Sequence, residues 1–417
     1  MKKIILLACL VLSAHWLHGQ SINIEFTHFS GQEWTLTAYR GETVDTIATG
    51  RLDAAGKSNI KLPEQYKTNP GFLLWMLRSG TGIGVIAANG ENVKVSCSEI
   101  QPSVENIIYS NTVENNFLSG HYQLQEEILQ KMEAMHMATQ SYRNDSTLLP
   151  TFTHELRNQE QNYMRFQQQT GVTPLYAARI AQFANVARGL PPVISPDHQE
   201  NAKQLNSFIT NNLNIETLFT SGYWHPVLTQ WLEWYTLPQN ETKLIADYQK
   251  LKEGITDKKI ASTFEETAQN ILKGKSRKDL TLLIGNRKAP ELTQTTLSGK
   301  KTILAFYASG CGPCEAQMEQ LKGNYALLKE KGYEVISISA DEDKGIFQTT
   351  AAGIPWKHNY CDLKGLNGKD FQNYGVSGTP TFFVMDERGT INGIYSQVEK
   401  IKSDLQQTEV ILHASSE

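Results

Sequence analysis

The sequence predicts a multidomain chain: a β-sandwich-like amino-terminal domain, an all-α middle domain and a carboxy-terminal α/β domain around a mixed central sheet. Three observations carry that prediction. Apolar residues recur at every second position near the start, at helical spacing through the middle, and in alternating strand and helix runs towards the end. A chain of 417 residues also exceeds one ordinary core, and at roughly 100–200 residues per domain it divides into several.

The first residues read as an address. Lys2 and Lys3 precede an apolar run from Ile4 to Leu12, and small and polar residues follow to Gly19 and Gln20. This is the pattern of a secretory signal peptide over residues 1–19. A lipoprotein-like Leu7-Ala8-Cys9 fits less well, because lipidation there would leave Leu10 to Leu17 apolar at the mature start. No later run approaches the ~20 apolar residues of a membrane helix, so a soluble exported protein is expected. With a net charge of −4 the chain has no basic field to gather nucleic acid, which is therefore not an expected partner. Removing the signal would remove Cys9 and leave Cys97, Cys311, Cys314 and Cys361 in a compartment where disulfides persist. That is too few for a stapling framework in so long a chain.

Residues 20–112 carry the period-two pattern: Ile22, Ile24 and Phe26, then Trp34, Leu36 and Ala38, then Val93 and Val95. Turns at Ala54-Ala55-Gly56 and Asn89-Gly90 break it into short strands, expected to be antiparallel. Cys97 continues the Val93 and Val95 face and is expected to act as a small core hydrophobe.

Residues 113–277 change to the helical period, as in Leu124, Ile128, Met132 and Met135. The aromatic cluster Trp224, Trp231, Trp234 and Tyr235 could line a groove, but aromatics at helical spacing fit a core better. Lys273, Lys275, Arg277 and Lys278 read as a solvated linker rather than a patch for an acidic partner.

Residues 278–417 alternate. Lys301 to Ala308 reads as a strand, Pro313 to Lys331 as a helix, Tyr333 to Ala340 as a strand and Asp343 to Ala352 as a short helix. A hairpin follows from Thr379 to Met385 and Thr390 to Tyr395, turning at Asp386-Glu387-Arg388-Gly389, and a helix closes the chain to about His413. That order predicts a sheet with mixed strand directions.

The chemistry sits where a buried strand, Ile303 to Ala308, runs through Ser309-Gly310 into Cys311-Gly312-Pro313-Cys314 at a helix start. Cysteines three apart there can close a small disulfide. The leading sulfur meets unsatisfied N–H groups and the positive end of the helix dipole, which favour thiolate. Cys311 is thus the candidate nucleophile and Cys314 the more buried resolving thiol; Gly312 and Pro313 support the motif, Pro313 because a first turn does not need its N–H. Downstream, Thr379-Pro380-Thr381 puts a proline at the very start of a good strand, a candidate cis bond whose alternative is an ordinary trans edge proline. Beside the dithiol, the Thr379 backbone would pair with an extended target peptide.

From about residue 280 the sequence resembles the thioredoxin superfamily, specifically the exported TlpA/ResA-like thiol–disulfide oxidoreductases. Gly285, Ala289-Pro290, Phe306-Tyr307-Ala308, the Cys-x-x-Cys, Tyr374-Gly375-Val376, Thr379-Pro380-Thr381 and Asp386 with Gly389 carry the resemblance. It implies a thioredoxin fold, catalytic Cys311 and Cys314, a cis Pro380 that joins the Thr379 backbone read above as the expected substrate-binding pair, and no cofactor beyond the redox-active disulfide. It implies disulfide-containing envelope proteins as substrates, a membrane thiol transporter of DsbD/CcdA type as electron donor, and the periplasm or cell envelope of a Gram-negative bacterium. Members of the family serve cytochrome c maturation or general disulfide repair. Three positions depart from the pattern: Gly310 stands where tryptophan commonly precedes the first cysteine, Ala305 where a buried acid accepts the proton of the second, and Gln317 where glutamate is frequent. Proton transfer at Cys314 then falls to Glu315 or a water.

Other classes stay open at this point. A binding protein with a vestigial dithiol fits the departures. A zinc module would use Cys311, Cys314, His358 and Cys361, although positions three apart on a strand face opposite sides. Cys361 is a buried small residue or an accessory thiol. A peroxidase is disfavoured by Ala308, which occupies the place of the peroxidatic threonine. Gly312-Pro313 matches the reducing thioredoxins, near roughly −270 mV.

Overall fold

The computed structural model describes residues 20–67, 69–237, 240, 243–275, 277–284 and 287–405. The signal-peptide reading, Gly285 and the end of the closing helix towards His413 lie outside them. Cα packing divides the chain into two compact units.

The first unit holds eight strands: β1 (Ser21–Phe26), β2 (Glu33–Arg40), β3 (Thr43–Arg51), β4 (Lys57–Lys61), β5 (Gly71–Leu77), β6 (Gly82–Ala87), β7 (Val93–Cys97) and β8 (Ile108–Ser110). They form two four-stranded sheets, ordered β4-β1-β7-β8 and β3-β2-β5-β6. One apolar cluster draws on both, with Ile22, Ile24 and Phe26 beside Trp34, Leu36, Trp75, Val93 and Val95. Cys97 is buried in it. The turn after Asp53 is built as its residues require: Asp53 Oδ1 accepts from the N–H of Ala55 and of Lys57, each at 2.8 Å. Gly56 has φ +72°, and a Cβ there would stand 2.2 Å from the Phe26 carbonyl oxygen.

One expectation fails here. β1 pairs with β4 antiparallel but with β7 parallel, so this sheet is mixed. Period two reports which face is buried and is blind to strand direction, and β1 and β7 are joined by a long excursion rather than a hairpin.

The helical region runs through α1 (Val113–Ser141), α2 (Leu148–Val172), α3 (Tyr176–Ala187), α4 (His198–Asn212), α5 (Ile215–Phe219), α6 (Trp224–Glu233), α7 (Leu244–Glu253), α8 (Lys258–Gly274) and α9 (Lys278–Ile284). Trp224, Trp231 and Tyr235 are fully buried, so the aromatic cluster is core, while Trp234 is half-buried. Each buried polar edge is satisfied: Trp224 Nε1 donates to Thr267 Oγ1 at 2.9 Å, Trp231 Nε1 to Thr210 Oγ1 at 3.1 Å, and Tyr235 OH to Asp247 Oδ2 at 2.7 Å.

Two details differ from expectation. On α1, Leu124 is exposed and Gln125 is buried. Gln125 belongs to an amide triad: its Nε2 donates to Asn185 Oδ1 at 2.7 Å, and its Oε1 accepts from Asn185 Nδ2 and Gln167 Nε2, both at 2.9 Å. A paired amide can occupy a core position that apolar periodicity assigns to a neighbour. The basic run is not a plain solvated linker either. Arg277 grips Asp279 with two bonds, Nε to Oδ1 at 3.0 Å and Nη2 to Oδ2 at 2.7 Å, and donates to the Thr236 carbonyl at 2.8 Å. A planar, bidentate guanidinium can be held half-buried in a way a lysine cannot.

The carboxy-terminal region holds β9 (Lys301–Tyr307), α10 (Gly312–Glu330), β10 (Tyr333–Ser339), α11 (Lys344–Ala351), β11 (His358–Cys361), α12 (Lys369–Asn373), β12 (Thr381–Met385) and β13 (Ile391–Tyr395), and residues 398–405 are helical. Its sheet is ordered β11-β10-β9-β12-β13. β9, β10 and β11 run parallel, whereas β12 is antiparallel to β9 and to β13. This is the mixed sheet the sequence predicts. β9 is central and apolar on both faces because both are covered. On one side Phe306 meets the rings of Phe371, Tyr374 and Phe383 at 4.8, 5.5 and 5.8 Å. Among the described residues no helix is long and apolar enough to cross a membrane.

Candidate functional site: a dithiol at a helix start

Strand register assembles the site. Because Thr381 pairs with Phe306 across β12 and β9, the chain just before β12 lies beside the chain leaving β9. The first carries Thr379-Pro380, the second Ser309 to Cys314. The Thr379–Pro380 bond is cis.

Cys311 is the N-cap of α10, with extended backbone at φ −90° and ψ 105°, and Pro313 lies in the first turn. Cys311 and Cys314 form a disulfide with Cα atoms 5.2 Å apart. The Cys314 N–H donates to Cys311 Sγ at 3.3 Å, so the leading sulfur occupies a capping position. The same sulfur lies 3.8 Å from the Thr379 carbonyl oxygen and 4.0 Å from its Oγ1.

The two sulfurs differ in access. Cys314 is fully buried, packed with Ile303, Ala305, Tyr307, Met318, Leu321 and Phe382. Cys311 is half-buried at the edge of that cluster. Its rim is made of Gly310, Gly312 and Gly378, and a Cβ at any of the three would meet nothing within 4 Å. The site is therefore an open surface. A cleft of about 480 Å³ lies elsewhere, among Gln168, Gln182, Gln204 and Phe208 of the helical region, and contains neither cysteine.

The acid–base candidates are now placed. Ala305 is buried beneath the dithiol and brings no carboxylate. Glu315 is exposed. Gln317 is committed elsewhere, its Oε1 accepting from the Val398 N–H at 2.8 Å and capping the last helix. Among the described residues no carboxylate hydrogen-bonds to either motif sulfur.

Sequence reasoning missed the support behind the motif. Asp341, buried at the end of β10, accepts from the Ser309 N–H at 2.9 Å and from Ser309 Oγ at 2.6 Å. Ser309 Oγ is also 2.8 Å from Thr350 Oγ1 on α11. A serine two residues before the cysteine and an acid closing the next strand were the available signal.

Cys361 and His358 do not join the dithiol. Among the described residues no three His, Cys, Asp or Glu side chains, Cys311, Cys314, His358 and Cys361 included, are gathered as metal ligands. His358 instead contacts Tyr360 OH at 2.9 Å and Glu334 at 3.4 Å. Cys361 is half-buried rather than core; its Sγ donates to the Asp341 carbonyl at 3.2 Å, and burial first of all pushes its thiol above the ordinary range.

The AhpC/TSA family matches residues 274–394. The thiol-disulfide oxidoreductase ResA of Bacillus cereus (strain ZK / E33L) is 31% identical over 125 residues, 28% of this chain and 68% of that protein. ResA of Bacillus thuringiensis subsp. konkukian is 31% identical over 115 residues, 25% of this chain, and the match spans 65% of that relative's length. Among solved structures, a putative thiol:disulfide interchange protein DsbE from Chlorobium tepidum is 27% identical, covers 30% of this chain and 94% of that one, and has a TM-score of 0.26. Through its carboxy-terminal region, the chain belongs to the thioredoxin superfamily as a TlpA/ResA-like member.

Proposed function

We propose that the chain is a thiol–disulfide oxidoreductase that reduces disulfides of envelope proteins through Cys311 and Cys314. One observation carries this reading: a half-buried sulfur caps a helix and is bonded to a fully buried one, beside an open backbone segment at Thr379. In the reduced state the helix start favours the Cys311 thiolate over the thiol. That thiolate attacks a target disulfide, forming a mixed disulfide and releasing one target thiolate. Cys314 then loses its proton and attacks Cys311 Sγ, which frees the second target thiol and restores the Cys311–Cys314 disulfide. With Glu315 exposed and Ala305 apolar, water is the proton acceptor for Cys314.

The Thr379 backbone would hold an extended stretch of the target against the dithiol, with Pro380 fixing the turn, and the glycine rim admits a protein surface. Gly312 and Pro313 favour the reducing direction. Electrons then come from a membrane thiol transporter of DsbD/CcdA type, in the periplasm or envelope of a Gram-negative bacterium after removal of residues 1–19. No cofactor beyond the disulfide is needed. We read residues 20–112 as a β-sandwich-like domain, 113–277 as a helical domain and 278–417 as the thioredoxin-like domain, the first two restricting which targets dock.

The test is insulin reduction with trapping. Cys311→Ser should fall to the uncatalysed rate, and Cys314→Ser should accumulate mixed disulfides with envelope proteins. Full activity in Cys311→Ser, with nothing trapped by Cys314→Ser, would leave the alternative of a binding protein with an unused dithiol.

A further inference from the structure

We propose that Asp341 is a positioning residue that sets the redox equilibrium of the dithiol by anchoring the turn at Ser309. The inference rests on the oxidoreductase reading of Cys311 and Cys314.

The turn needs an outside anchor. Gly310 has φ +71° and open space around it, so no side chain of its own fixes the approach to Cys311. Both donors of the preceding Ser309 instead end on one buried carboxylate. The N–H reaches Asp341 Oδ1 at 2.9 Å and the hydroxyl reaches Oδ2 at 2.6 Å. Each oxygen thus accepts a charge-assisted bond, the kind that holds geometry best.

The proton inventory closes. Ser309 has one hydroxyl proton and gives it to Asp341, so the 2.8 Å contact with Thr350 is completed by the threonine proton. Asp341 is itself fixed, its N–H donating to Ser339 Oγ at 3.0 Å and its carbonyl accepting from Cys361 Sγ at 3.2 Å. No cation forms an ion pair with it among the described residues. The carboxylate is therefore held against Ser309, which precedes Cys311 by two residues.

Two consequences have the same sign. Loosening the turn lowers the effective concentration of Cys314 at Cys311 and disfavours ring closure. Removing the negative charge stabilises the Cys311 thiolate, which exists only in the reduced state. Both move the equilibrium towards the dithiol, making the pair more oxidising. In the assay two glutathione molecules supply two electrons: the Cys311–Cys314 bond breaks, two protein thiols form, and one glutathione disulfide is produced.

The experiment equilibrates the full chain in glutathione buffers and reads alkylation of the Cys311–Cys314 peptide by mass spectrometry. Asp341→Asn should shift the constant towards the dithiol by about tenfold, or about 30 mV. Ser309→Ala, which keeps the charge, should shift it a few-fold, and Ser309→Thr, which keeps both donors, should not shift it. A folded Asp341→Asn with the wild-type constant overturns the proposal. If Asp341→Asn does not fold, the serine pair decides, and equal constants for Ser309→Ala and wild type overturn it. A wild-type dithiol that does not titrate would overturn the oxidoreductase reading itself, and this proposal with it.

Discussion

The dithiol bed and the middle of the helical region are both well buried, yet they are dried by opposite means. Beneath Cys314 lie Ile303, Ala305, Leu321 and Phe382, and among the described residues its sulfur is bonded to Cys311 and makes no hydrogen bond. Between α1, α2 and α3 lie Gln125, Gln167 and Asn185, whose amides close on one another. The contrast teaches where reactivity can reside. A closed polar triad has every strong group satisfied and nothing left to react, whereas an apolar bed gives the Cys314 sulfur no hydrogen-bonded partner among the described residues and leaves the polar anchors, Ser309 and the buried Asp341, to the turn before Cys311.

The largest effect should come from opening the bed. Leu321→Ala, at a fully buried position on α10, should destabilise the carboxy-terminal region by about 2–5 kcal/mol, from lost burial and the cavity left behind. Chemical denaturation measures it. A loss below half a kilocalorie would mean that the bed is not close-packed.

Asn185→Leu comes next. It strips Gln125 and Gln167 of their shared partner and should cost about 1–3 kcal/mol through unsatisfied buried amides, while leaving the redox equilibrium of Cys311 and Cys314 unchanged. Should that equilibrium move as well, the two interiors would be coupled and the contrast would fail.

The smallest effect is a difference in reactivity. In the reduced, folded chain at neutral pH, iodoacetamide should modify Cys311 well before Cys361. Burial raises the Cys361 thiol pKa, so its thiolate fraction is below that of an ordinary cysteine, while the helix start raises that of Cys311. The gap should narrow as pH rises and Cys361 ionises. Peptide mass spectrometry over time reads both rates, and equal rates at neutral pH would contradict the account.

Much of this was legible in the sequence because strands with covered faces announce themselves. β9, β10, β12 and β13 fall within two residues of their expected bounds, since apolar runs bounded by turn residues leave few alternatives. The placement of Cys311 and Cys314 at a helix start was readable from spacing, whereas the same reading left Pro380 open between cis and trans and only the family resemblance implied the cis bond. What escaped depends on partners distant in sequence. The parallel pairing of β1 with β7, the burial of Gln125 in place of Leu124, the clasp of Arg277 on Asp279 and the grip of Asp341 on Ser309 are all choices made by polar or backbone groups. Each becomes favourable only once a second segment is present, and periodicity of apolar residues carries no trace of that segment.

The most direct test of the central claim is the reduction potential of the Cys311–Cys314 pair, titrated in dithiothreitol or glutathione buffers with thiol alkylation as readout. The account predicts a value below about −240 mV, on the thioredoxin side of the range. A value above about −180 mV, where isomerases and oxidants lie, would contradict it.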